Sequence, residues 1–349
     1  MQRSQLKRSL LNFWRTFRAN RMGNLGAFLV FSALFVAIFA PFLSPYQPND
    51  TIRDQNGHGM TFAPPSVHKP LGTDDAGRDV WTQLVYGARI SLTVGFLAGF
   101  ISMFIGSLLG ILAGYFGGRL DNLLMRTTDI LLVIPDLPLM LILVATLRRL
   151  ELRISPILIL IMVIGLLYWT STARLIRSQV LSIKERQFVA RSRAIGAGYV
   201  HIIRKHIVPQ IMPLVVAETV LIISTAILVE SGLAFLGLGD PTRPSWGTML
   251  NFAFDRNAIS NGAWWFYLPP GFAIVWVTLG CVLLGNVLEE ILNPRLTSHH
   301  LESEAHMVAR PATAAAVAFA SSALGTATRK SSDAKPELRS GGTTFNEKK

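Results

Sequence analysis

Apolar residues in this chain are pooled into blocks rather than scattered. Residues 25–43, 91–116, 123–147, 154–172, 212–236 and 266–292 each form a run long enough to cross a bilayer, which takes roughly 20 residues of helix. Pro135 and Pro138 interrupt the third. None reads as a strand, because strands in lipid require a closed barrel of short alternating segments. The pattern predicts an all-α membrane protein with six transmembrane helices. Between the fourth and fifth blocks, residues 183–206 alternate apolar Val189, Ile195, Val200, Ile203 and Ile207 with arginines and lysines. This predicts two short amphipathic helices meeting at Gly196-Ala197-Gly198, ended by Pro209, with Pro213 opening the fifth span. Such an elbow reads as a docking surface for a soluble partner; a strip lying on anionic lipid is the alternative.

Composition agrees and narrows the class. Half the residues are apolar and only 15% are charged, against about 25% in soluble domains. The single cysteine, Cys281, lies inside the sixth block and excludes a disulfide framework or a cysteine metal site. A net charge of +12 at first resembles a nucleic-acid signal. By position it is two patches: residues 1–24 carry +6, residues 174–205 carry +7, and the remainder nets −1. With six spans both patches fall on one side, which the positive-inside rule makes the cytoplasm. The 44–86 segment, with five aspartates against three basic residues, and the neutral 237–265 segment fall outside. Arg148, Arg149 and Arg153 with Glu151 disagree, since they also fall outside. The first helix is read as uncleaved, and both termini as cytoplasmic.

The expected organisation is a basic amino terminus (1–24), a first helix with an external loop (25–90), a five-helix core (91–294) containing the elbow at 185–209, and a tail (295–349). The tail is Ala-, Ser-, Thr- and Gly-rich. Its Ala-rich stretch 312–326 is too short and too polar for a seventh span, so a disordered cytoplasmic tail is expected.

Few residues carry candidate chemistry. Gly95, Gly99, Gly106, Gly110 and Gly114 repeat at spacings of four and seven, which places them on one helical face for close packing in lipid, within the chain or against a second subunit. Asp129 and Asp136, seven apart in the third block, share roughly one face. Glu218 and Glu230 lie in the fifth. Membrane-embedded acids usually face a cavity or a partner, so Asp129, Asp136 and Glu230 are candidate pathway or interface residues. No phosphate loop, HExxH or GxSxG motif occurs, and no metal site or catalytic residue is expected. His201 and His206, five apart, read as solvated. Trp264 and Trp265 read as an interface anchor. Gly237-Leu238-Gly239-Asp240 spells the GxGD of intramembrane aspartyl proteases, but that chemistry needs two carboxylates sharing a site. Asp240 opens a segment containing Pro241 and Pro244, so a surface turn is the better reading and the protease the rival. A self-sufficient ion-coupled carrier would show inverted repeats, and none is visible.

Several motifs carry a resemblance. Gln187-Phe188-Val189-Ala190-Arg191-Ser192-Arg193-Ala194-Ile195-Gly196-Ala197, followed by Arg204-Lys205-His206-Ile207-Val208-Pro209, resembles the EAA loop of binding-protein-dependent ABC importer permeases. Leu71-Gly72-Thr73-Asp74-Asp75-Ala76-Gly77-Arg78-Asp79 and Tyr86-Gly87-Ala88-Arg89-Ile90-Ser91-Leu92 resemble the C-type subunit of dipeptide, oligopeptide and nickel permeases. So do Gly117-Gly118 with Asp121, Phe235-Leu236-Gly237-Leu238-Gly239, Pro244-Ser245-Trp246-Gly247 and Asn293-Pro294. The matches run in order from the first helix to Pro294. The resemblance implies a type I ABC importer permease fold in the prokaryotic inner membrane. It also implies a second homologous permease, two ABC ATPases that bind ATP and Mg, and an external solute-binding protein; this chain would bind no cofactor and no nucleic acid. The coupling residues so implied are Ala190, Arg191, Arg193, Ala194, Gly196, Ala197 and Arg204. Two departures stand out: the residues naming the EAA motif align with Ala190, Arg191 and Ser192, and Asp136 stands where relatives often have a small residue.

Overall fold

A computed structural model describes residues 13–53, 59–67, 69–150 and 153–292. The expectations for the first twelve residues, for Glu151 and for the 295–349 tail lie outside the described residues. What is described is helical, apart from isolated bridges in the 44–79 connection. Besides a short helical turn at Ala40–Leu43, the α-helices used below are α1 (Arg21–Ile38), α2 (Val80–Phe116), α3 (Gly118–Val133), α4 (Asp136–Arg149), α5 (Pro156–Lys184), α6 (Gln187–Ala194), α7 (Tyr199–Ile202), α8 (Val208–Leu233), α9 (Trp246–Asp255) and α10 (Trp264–Leu292). Five segments are long and apolar enough to cross a membrane, one of them the composite Tyr199–Leu238. The α3–α4 pair, bent by 91°, makes a sixth if counted as one span.

Local chemistry sets the helix starts. Asn20 accepts from the Met22 and Gly23 amides ahead of α1. Asp79 accepts from Thr82 at α2, and Ser155 accepts from Leu158 at α5, where Pro156 takes the first position. Ser245 and Thr248 form a capping box at α9. Each satisfies amides that a helix start leaves without partners.

The longest helix shapes everything else. At 37 residues, α2 spans about 55 Å at 1.5 Å per residue, well beyond the ~30 Å apolar core of a bilayer. It starts at Val80, eleven residues before the block read from hydropathy, so the expected boundary at 91 falls inside a helix. The reason is visible in its first turns. Thr82 and Gln83 are polar, yet buried: Thr82 hydrogen-bonds Ser44 at 2.6 Å, and Gln83 donates to Asp74 at 2.8 Å. Similarly, α5 continues twelve residues past the block's expected end at 172, to Lys184, so Arg174 and Arg177 of the basic patch ride on the spanning helix itself. Pro209 does not end the elbow and Pro213 does not open a new helix. Pro209 sits in the first turn of α8, where its missing amide costs nothing, and Pro213 lies inside.

The five stripe glycines of α2, Gly95 to Gly114, meet two helices at different heights. A Cβ on Gly99 would lie 2.7 Å from Ile223 Cγ1 of α8, and Gly95 faces Ile227. Gly106, Gly110 and Gly114 face Thr172, Ala173 and Val180 of α5. Intramolecular neighbours occupy the whole stripe. α1 lies against α10 by the same device, with Gly26 against the Leu284 amide and Gly280 against Leu29. Trp265 corrects the anchor reading: it is 9% exposed and donates to the Thr73 carbonyl at 3.2 Å, while Trp264 is exposed.

At Gly110 a Cβ would stand 2.7 Å from the Ala173 carbonyl oxygen and 2.9 Å from Ile176 Cβ. Gly110→Val therefore forces backbone apart, at a cost of about 1–3 kcal/mol. Its thermal midpoint in detergent should fall clearly. Gly271→Ala, in a helix with open space around the site, should leave the midpoint unchanged or raise it.

Candidate functional site

The elbow is built on a small apolar core of its own. Val189, Ile202, Ile207 and Ile211 are buried against Tyr115, Ile176, Val180 and Ile183. Two of the apolar positions expected inside point outward instead: Ile195 is 85% exposed and Val200 60%. With exposed Tyr199 they surround the corner. Gly196 turns that corner at φ +82 with nothing within 4 Å of where a Cβ would be, a conformation side chains disfavour. Ala190, Arg191, Arg193, Ala194 and Arg204 are also exposed, and Ala197 is half-buried. The seven residues assigned to coupling thus form a knob with an apolar crest and arginines around it.

A π turn, Ile203–Ile207, joins α7 to α8. Its wider winding brings residues five apart onto one side. His201 and His206 accordingly sit with ring centroids 6.0 Å apart, and His206 Nε2 lies 3.1 Å from the Ser192 hydroxyl. The histidines are therefore not simply solvated. The knob grips the end of α2 as well. Tyr115 lies between the Lys184 ammonium and the Arg193 guanidinium, 5.9 and 5.6 Å from the ring centroid, and Phe116 packs edge-on against Tyr199.

The acids of the third block do not share a face. The break at Ile134-Pro135 puts Asp129 on α3 and Asp136 on α4. Asp129 pairs with Arg174 of α5. One turn nearer the elbow, Asp121 accepts a forked bond from Arg177, with Nη2 at 2.7 Å. Asp136 is exposed and accepts from the Tyr168 hydroxyl at 3.0 Å. It lies in a recess of about 300 Å³ lined by the break and by α5. Glu230 is enclosed among polar groups within the protein. It is 1% exposed, and hydroxyls of Ser91 from α2, Ser231 and the α9 cap Ser245 surround its carboxylate. Glu218 is half-buried on α8.

At the end opposite the elbow, the 44–79 connection and α9 form a crown over α2. Asp74 is fully buried and is the hub. It accepts from the Ala76 and Arg78 amides, from Arg78 Nε at 2.8 Å and from Gln83. Asp75 pairs with Arg256 just beyond α9 at 3.1 Å. Burial, reinforced by the neighbouring Asp74 charge, holds its carboxyl above the usual carboxylate range despite Arg256 and Arg78. Arg148, which disagreed with the positive-inside count, donates to the Gly239 carbonyl at 2.6 Å and the Gly237 carbonyl at 3.4 Å. Gly237 has φ +85. Asp240 accepts from the Thr242 amide and hydroxyl. The GLGD segment is therefore a turn. Asp129, Asp136 and Asp240 have three different partners and form no dyad, which leaves the protease reading without support. Among the described residues no cluster of three metal-ligating side chains occurs.

Up to six apolar spans among the described residues, one of them the glycine-faced α2 against which others pack, and a glycine-cornered knob between the fourth and fifth, describe a multi-pass membrane permease component. The chain belongs to the family of binding-protein-dependent transport system inner membrane components, whose pattern matches residues 106–298. The N-terminal transmembrane domain of oligopeptide transport permease C matches residues 9–65. The chain is 40% identical over 294 residues to the dipeptide transport system permease protein DppC of Escherichia coli K12, covering 82% of this chain and 93% of that one. It is 35% identical over 285 residues to DppC of Bacillus subtilis, covering 81% and 85%. To the oligopeptide permease protein OppC of B. subtilis it is 32% identical over 299 residues, covering 84% and 93%.

The elbow was legible in the sequence; the crown built on Asp74, the burial of Glu230 and the Asp121–Arg177 and Asp129–Arg174 pairs were not. The signal of the two pairs was two acids and two arginines near one another in the fold, hidden by ending the fourth span at residue 172. Asp121→Asn leaves Arg177 without its forked partner and should destabilise the fold by about 1–3 kcal/mol. The swap Asp121→Arg with Arg177→Asp should recover much of the loss, measured as thermal midpoints in detergent.

Proposed function

We propose that this chain is the non-catalytic permease subunit of an ATP-driven importer of dipeptides or oligopeptides. It lines the path together with a second, homologous permease. Two ATPase subunits, which hold ATP and Mg, sit on the elbow side, and an external binding protein delivers solute to the crown. The elbow side is the cytoplasm, where the basic patches at 1–24 and 174–205 hold the first helix and the elbow. Both termini lie on that side, in the prokaryotic inner membrane. The dipeptide and oligopeptide names of the relatives support the solute class.

The observation that carries this reading is the Gly196 knob. Its crest of Ile195, Tyr199 and Val200 is too apolar to be left in water without a purpose, and it is exposed. A socketed apolar anchor rimmed by charge is the usual anatomy of a protein contact. Behind the crest, the elbow core and the Tyr115 contacts fix the knob to α2, α5 and α8. A push on the knob therefore moves helices instead of bending a loop.

Gly196→Val places a β-branched residue at φ +82, where such residues are outliers. The complex should still assemble, with peptide uptake into proteoliposomes reduced by about tenfold or more while ATP hydrolysis continues. Undiminished uptake would overturn the assignment of the elbow.

A further inference from the structure

We propose that the recess at the α3–α4 break takes a protonated amine of the transported solute, with Asp136 supplying the counter-charge and Tyr168 orienting it. This rests on the peptide reading above, since a peptide's amino terminus is such a group. Tyr168 lies about 18 Å along α5 from Pro156 at 1.5 Å per residue, near the middle of a ~30 Å apolar layer. A carboxylate at that depth is costly unless it faces a partner or a wet cavity.

The two acids of α3 and the buried Asp74–Asp75 pair of the crown have their cations. Asp121 has Arg177, Asp129 has Arg174, Asp74 has Arg78 and Asp75 has Arg256. Among the described residues Asp136 pairs with no lysine, arginine or histidine. Its Oδ2 accepts from Tyr168, and its Oδ1 accepts from the Leu137 amide at 2.9 Å. A carboxylate offers about four acceptor directions, so two remain open. The recess has the size for an ammonium group and a short side chain, at about 300 Å³. Its remaining polar lining is Thr170 and Ser171, hydroxyls that can accept from an ammonium; Leu139, Met140 and Leu167 supply the apolar walls.

Two opposed helix ends meet at the break: α3 stops at Val133 and presents its last carbonyls, while α4 starts at Asp136, and its positive end favours the ionised form of that carboxylate. Irregular backbone at membrane depth is tolerated where it lines a cavity, and transporters place cation sites at such half-helix ends.

The test uses the whole transporter, this chain with its partner permease, ATPases and binding protein, in proteoliposomes supplied with labelled trialanine. Asp136→Asn should raise the half-saturating concentration for uptake by about tenfold or more, the worth of a charge-assisted hydrogen bond. Asp136→Glu should recover most of the affinity. Tyr168→Phe should raise the half-saturating concentration without an equal fall in maximal rate, as expected of a positioning residue. Wild-type uptake kinetics in Asp136→Asn would overturn the proposal. So would loss of the partner permease from the purified Asp136→Asn complex, which would assign the acid to the subunit contact. A wild-type complex that takes up no peptide would overturn the peptide reading along with it, whereas an indifferent Asn variant in a working complex sinks the recess alone.

Discussion

Contact between bare backbones is the constraint on which the rest of the molecule depends. In lipid, apolar side chains gain little by leaving one hydrocarbon surroundings for another, so helices are held by van der Waals contact and by polar pairs. Five glycines let α2 lie against α5 and α8 at backbone distance, and Gly26 and Gly280 do the same for α1 and α10. With those contacts made, few polar ties are needed. Asp121, Asp129 and Arg148 fasten the third span at both ends, and Glu230 joins α2, α8 and α9 through serine hydroxyls. None of these ties would reach its partner if the helices stood one side-chain diameter further apart.

The same contacts make α2 a stiff rod. One end is capped by Asp79 within the buried Asp74 hub of the crown, and the other is held by Lys184 and Arg193 around Tyr115. Interior packing is close to crystalline in density and transmits displacement instead of absorbing it. A movement of the elbow is thus felt at the crown through one unbroken helix. Switching between two packings, the usual form of transporter gating, has here a single mechanical axis. The compliant point is the α3–α4 break, where the candidate amine recess lies beside the rod but outside its rigid contacts.

Much of this was legible in the residues themselves. Six apolar blocks, the glycine spacing and the glycine corner of the elbow are patterns with a direct physical cause, and each recurs in the structure. Boundaries were less legible. Hydropathy stopped α2 at Ser91 because Thr82, Gln83 and Arg89 are polar, whereas the crown buries the first two through partners that lie 9 and 38 residues away in sequence. It ended the fourth span at Thr172 and left Arg174 and Arg177 to the basic cytoplasmic patch, whereas they continue α5 and their carboxylate partners lie 45 and 56 residues earlier. The π turn at Ile203–Ile207 has no signature in composition, so the approach of His201 to His206 could not be anticipated from a period of 3.6. For α2 and α5 the missing information was long-range pairing, which a local pattern does not contain; for the π turn it was a change of winding within one helix.

The Arg148 contact sets an order of assembly for the nascent chain. Its carbonyl acceptors at Gly237 and Gly239 are made 89 and 91 residues later, about 5–20 s afterwards at ordinary rates of synthesis. Until α8 is in place, the guanidinium at the end of α4 must be kept in water or headgroups. The third span therefore gains this tie only after the elbow and α8 have been made. Completion of the fifth span captures the third, and the chain locks from its later helices back onto its earlier ones.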